Sequence, residues 1–209
     1  MLKTGESTSM GGTGETYTCR ARHFHWWTVG FVSVLVPVGL YMNYRGNVLG
    51  IFDGLTNTLY STHKLLGFTL LLIVVARLGY RLLHGAPADE PTLEPWQKVV
   101  SSLNHWGMYV LLLIVPLLGW FGVQLYPALD VFGLFSLPAV VGPNQEAAET
   151  VLAIHKTLAL LLVAFIALHV GAALYHYFIR KDGVLNRMIP ILPRLGRTAG
   201  RLTYKALIA

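Results

Sequence analysis

Residues 154–180 read IHKTLALLLVAFIALHVGAALYHYFIR, and this stretch decides the fold. Between Lys156 and Arg180 it contains no Asp, Glu, Lys or Arg. About 20 helical residues at ~1.5 Å each cover the roughly 30 Å of a bilayer's hydrocarbon, so the stretch is long enough to span one. It also carries His155, His169 and His176. The first two lie about four helical turns apart, on one face and roughly 21 Å apart along the axis. An imidazole in lipid is costly unless something binds it. The stretch therefore calls for a partner at each of two depths.

The rest of the chain is of the same kind. Of its 209 residues, 54% are hydrophobic and 12% charged, with a mean hydropathy of +0.55. A soluble domain carries about 25% charge. The composition thus points to an all-α integral membrane protein forming one bundle. The net charge of +6 is placed as membrane topology requires, and is not read as a nucleic-acid surface. Cys19 is the single cysteine, so no internal disulfide forms. Residues 1–20 are polar, with no apolar core, and read as a flexible tail rather than a signal peptide.

Three further spans precede the one above. The uncharged run between Arg22 and Arg45 is opened by His25, Trp26 and Trp27 and carries Pro37, a kink residue. The second span, about Asn57–Leu83, has His63 and Lys64 at its start and Arg77 and Arg81 near its end. Residues 84–97 are Pro-rich and acidic, a loop. The third, about Val100–Tyr126, holds His105, Pro116, Gly119 and Trp120. An apolar connection suited to the membrane surface follows, then the fourth span, with Thr150 as the expected N-cap. Residues 21–182 make the bundle, and 183–209 a basic amphipathic tail for an anionic leaflet.

Basic residues set the expected orientation. One side holds Lys3, Arg20, Arg22, Arg77, Arg81, Lys98 and the seven from Arg180 to Lys205; the other holds Arg45, Lys64 and Lys156. This bias places both termini in the cytoplasm of a bacterial inner-membrane protein. Two histidine pairs then match in depth: His63 with His155 on the outer side, His25 with His169 on the inner. Facing imidazoles across a bundle are what a six-coordinate haem requires, so the four are expected ligands of two stacked haems. No C-x-x-C-H occurs, so any haem is held without thioether links to the protein, and haem b is the expected cofactor. Gly67, one turn after His63, offers a bare backbone to a flat macrocycle. A shared zinc is excluded by the four-turn spacing and by the lack of Cys or carboxylate partners.

The remaining polar groups are placed around these pairs. Arg77 and Arg81 are expected at the inner propionates. Lys64 and Lys156 serve the outer propionates, or attract an anionic substrate or quinone headgroup. His176 is an interfacial residue, a propionate partner or a spare ligand, and His105 either lines a quinone pocket or is structural. His23 projects opposite to His25, and His84 is a solvated loop residue.

These landmarks together resemble a known family. They are His25-Trp26, Leu59-Tyr60, His63-Lys64, Arg77, Val115-Pro116, Gly119-Trp120, Phe132-Gly133-Leu134 and Leu137-Pro138. His155, Leu168-His169, Ala173, His176 and the run from Lys181-Asp182 to Arg187-Met188 complete them. In this order, over about residues 20–190, they are similar to the bacterial cytochrome b561 proteins, four-helix dihaem membrane cytochromes. The resemblance implies the same four ligands, and a quinone-linked oxidoreductase passing electrons from an outer donor, such as superoxide or a redox protein, to ubiquinone. It equally implies a second role, the cytochrome b anchor of a dehydrogenase or hydrogenase complex.

Overall fold

A computed structural model describes residues 16–192. Four long helices cross back and forth: α1 (Cys19–Asn43), α2 (Gly54–His84), α3 (Pro95–Leu125) and α4 (Gln145–Tyr175). α1 and α4 each run on into one π-helical turn, Tyr44–Val48 and His176–Arg180. All four are long and apolar enough to cross a membrane, and the chain is a multi-pass membrane protein.

Every helix begins upstream of its apolar run, because the caps lie in the polar turn beyond the hydrocarbon. Asp53 Oδ1 accepts from the Thr56 N–H at 2.9 Å, and Asn144 Oδ1 accepts from the Ala147 N–H at 3.1 Å. Glu94 forms a capping box with Gln97 ahead of Pro95. The cap of α4 consequently lies six residues before the expected one. Thr150 is not that cap: it sits inside the helix, its hydroxyl donating back to the Glu146 carbonyl at 3.3 Å.

α1 packs on α2, α2 on α3 and α3 on α4. The shared core is Leu35, Leu70, Val74, Leu111, Leu112 and Leu162. Leu162 lies seven residues from both His155 and His169, so this apolar plug separates the two histidine layers.

Each end of the bundle is closed differently. Between α3 and α4 lies a short antiparallel hairpin of β1 (Asp130–Val131) and β2 (Phe135–Ser136), turned through Phe132 and Gly133 at φ 57° and 70°. Val131 and Leu137 are buried beneath it. At the opposite end the described termini meet: the Tyr17 N–H points at the Arg187 carbonyl at 3.4 Å, and Trp26 Nε1 at that of Met188 at 3.4 Å. The first part of the expected C-terminal tail, 183–192, is therefore folded against the bundle. Residues 1–15 and 193–209 of the two expected tails lie outside the described residues.

Candidate functional site

α4 places two imidazoles on one face, and each meets a histidine from another helix. At the hairpin end, His63 of α2 faces His155, with ring centroids 6.2 Å apart and planes at 90°. At the terminal end, His25 of α1 faces His169, also at 6.2 Å, with planes at 64°. A metal–imidazole bond is about 2 Å, so two rings ligating one ion from opposite sides have centres on the order of 6 Å apart. Both pairs match that spacing. His105 approaches His169 more closely, at 5.2 Å, and its Nδ1 donates to the Ser101 carbonyl at 2.7 Å. That separation is too short for an ion shared between opposed rings.

The hairpin-end pair borders a cavity of about 1280 Å³ that also reaches Gly67, Lys64, Lys156, Trp120 and Phe132. Pockets for small ligands run roughly 300–1,000 Å³, so this one suits a larger, flat group. A Cβ at Gly67 would meet only Leu35, at 4.0 Å, which leaves that backbone open to the cavity. His155 donates from Nδ1 to the Val115 carbonyl at 2.8 Å; its Nε2 is the nitrogen left for a ligand. Nδ1 of His63 is turned toward the Leu35 carbonyl without completing a hydrogen bond.

The surrounding cations divide in a way the sequence did not show. Lys64 is held by the hairpin, donating to the carbonyls of Ala128, at 3.0 Å, and Asp130. Lys156 is exposed at the cavity wall. Arg77 reaches His25, Nη2 to Nδ1 3.1 Å, and lies over the Tyr109 ring at 5.3 Å. Arg81 keeps Nη1 buried with no partner among the described residues, a cation awaiting an anion.

His176 belongs to a different cluster. It is buried and its Nδ1 meets Asp182 Oδ2 at 2.5 Å, with Arg180 Nε 3.3 Å from the same oxygen. His23 is exposed near Cys19, and His84 stacks on Tyr80 at 4.1 Å. Gly39, against which His63 packs, escaped the sequence reading, and Gly119 and Asp182 were read only as family landmarks, not for the packing of His155 on Gly119 or the pairing of Asp182 with His176. The signal was present for the glycines, each of which follows a proline in its span (Pro37, Pro116).

The residues fit haem b on three observations: the equal pair spacings, the large cavity at one pair, and the buried Nη1 of Arg81, unpartnered among the described residues, one turn beyond the Arg77 that reaches the other. Comparison with known proteins agrees. The chain is 29% identical over 182 residues to cytochrome b561 homolog 2 of Escherichia coli K12, covering 87% of this chain and 95% of that one. Cytochrome b561 homolog 1 of the same organism is 31% identical over 172 residues, 80% and 93% of the two chains. A probable superoxide oxidase CybB of Yersinia pestis is 30% identical over 131 residues, 61% and 73%. The model of the prokaryotic cytochrome b561 family matches residues 16–190, and the chain belongs to that family of haem b-binding membrane electron-transfer proteins.

Proposed function

We propose that this protein holds two haems b, one between His63 and His155 and one between His25 and His169, and passes electrons from a donor at the hairpin face to ubiquinone. The observation that carries the reading is the repetition of one 6.2 Å ring spacing at two depths of the same helix. Haem supplies one-electron chemistry when bound; the chain supplies ligands, spacing and charge. The basic residues around the terminal end support a cytoplasmic placement of that end in a bacterial inner membrane.

Arg81 and Arg77 are assigned to the propionates of the terminal-end haem. A guanidinium only donates, so the Arg77 contact holds His25 with its proton on Nε2. With haem bound, His25 would hold it through Nε2, and the propionates would be acceptors for the Arg77 and Arg81 donors.

Superoxide suits the hairpin face as donor. Lys156 stands exposed at the cavity wall beside His155, and a relative bears the name of a probable superoxide oxidase. Lys64 has its ammonium engaged by carbonyls, so Lys156 carries the steering role. Pyridine haemochrome assay of the wild type, His63→Ala and His169→Ala tests the core of this reading. Two haems in the wild type, and one in each variant with different residual spectra, is the expected result. One haem in the wild type, or an unchanged content in either variant, overturns it. Replacing Lys156 by Gln is expected to slow superoxide-driven haem reduction, more so at low salt; an unchanged rate removes superoxide steering.

A further inference from the structure

His63 and His155 are seated in the same way on two different helices. A Cβ built on Gly39 would lie 2.9 Å from His63 Cε1, 3.3 Å from Nδ1 and 3.8 Å from Nε2. At Gly119 the distances to the same atoms of His155 are 3.0, 3.1 and 3.8 Å. Each ring thus rests on bare backbone where no other residue fits unmoved, with Nε2 the most distant of the three atoms. Four residues before each glycine, on the same helix face, stands a backbone carbonyl: Val115, which accepts from His155 Nδ1 at 2.8 Å, and Leu35 before Gly39, while the buried Nδ1 of His63 has no hydrogen-bond partner among the described residues.

We infer that Gly39 and Gly119 are positioning residues of the hairpin-end centre. Each opens one helix turn, so that the facing histidine can lay its ring on the backbone and aim Nδ1–H at the carbonyl below. A carbonyl acceptor behind a ligating imidazole fixes the tautomer and raises the ligand's basicity. It therefore favours the oxidised metal and lowers the centre's potential. The terminal-end pair differs at the corresponding place: the group at His25 Nδ1 is the Arg77 guanidinium, which accepts no hydrogen bond. The hairpin-end centre is accordingly the lower in potential, and electrons run from the hairpin face toward the terminal face. This inference rests on the dihaem reading above.

The test is a redox titration with low-spin haem EPR on wild type, Gly39→Ala and Gly119→Ala. Gly30→Ala is the control, since a Cβ there meets nothing within 4 Å. The lower-potential centre is expected to shift upward and to change its g-values in both glycine variants, with the other centre and the Gly30 variant as wild type. Loss of that haem alone, with the other retained, also supports the inference. Unchanged potentials and g-values in either variant overturn it. A readout without substitution is pulsed EPR on the wild type with 15N-labelled histidine. Remote nitrogens lacking a hydrogen-bonded proton at the lower-potential centre overturn the inference too. If His63→Ala and His155→Ala both leave two haems, the dihaem reading has failed; if they remove one and the glycine variants are silent, only the inference has.

Discussion

Arg77 and His25, on neighbouring helices, meet at 3.1 Å through Nη2 and Nδ1. The guanidinium is permanently charged, and its plane lies 5.3 Å over the Tyr109 ring. Replacing it with Gln removes a cation from beside the terminal-end pair. The midpoint potential of that haem is expected to fall by on the order of 50–100 mV, the scale of a unit charge roughly ten ångströms away at an effective dielectric near 20. Arg77→Lys is expected to restore only part, since an ammonium lacks the planar fork. Redox titration checks both; an unshifted potential in Arg77→Gln contradicts the placement.

Lys64 and Ser61 tie the hairpin to α2. The lysine donates to Ala128 and Asp130, and Ser61 Oγ accepts from the Phe132 N–H at 3.1 Å. Hydrogen bonds from a charged donor contribute about 1.5–3 kcal/mol. Lys64→Met is therefore expected to speed amide exchange across residues 129–137 by roughly tenfold or more, and Ser61→Ala by less. Hydrogen-exchange mass spectrometry in nanodiscs reads this, with the amides of residues 100–115 as internal reference.

Asp53 caps α2 and is paired with Arg45 at 2.6 Å. The Thr56 backbone N–H, with help from the Thr56 hydroxyl and Arg45, holds its carboxyl below the usual carboxylate range. A group whose folded pKa is depressed adds stability above its unfolded value and loses it as pH falls through the folded one. The start of α2 is thus expected to loosen only below the ordinary carboxylate range. Asp53→Asn should remove that pH dependence, as read by exchange at the amides of residues 56–58.

Asp182 gathers His176 and Arg180 where α4 ends, and Arg180 also donates to the Thr92 carbonyl at 2.8 Å and to Gln97 at 3.1 Å. Removing one partner of a fully buried pair costs about 3–5 kcal/mol. With Arg180 25% exposed, Asp182→Asn is expected to cost about 2–3 kcal/mol. Thermal unfolding in detergent measures it, and protease sensitivity of residues 183–192 should rise in parallel.

The spans were legible because lipid enforces a coarse rule, about 20 apolar residues per crossing, and 154–180 satisfies it unaided. The depth pairing of His25, His63, His155 and His169 was legible because helical rise converts sequence distance into height. The helix starts were not, since Asp53, Glu94 and Asn144 lie outside the apolar runs that hydropathy detects. The cations were only half readable. That Lys64 stands next to His63 is visible in the sequence, but its engagement by the carbonyls of 128 and 130 needs the fold of a hairpin more than 60 residues away. His176 was misleading in the same way: its turn places it near α4's other histidines, yet the αL bend at Lys181 (φ 54°) brings Asp182 back onto its ring.

Both facing pairs draw one member from α4, the last of these four helices to leave the ribosome. While α1 to α3 are in the membrane alone, His25 and His63 have no partner from α4, and neither pair exists. On the dihaem proposal, cofactor capture follows the synthesis of α4 and reports on all four helices. A product truncated before residue 155 has neither complete pair, and one that ends between 155 and 169 has only the pair at the hairpin end. Loading with haem would thus mark the chains whose insertion is finished, and the quality check would be inherent in the order of the helices.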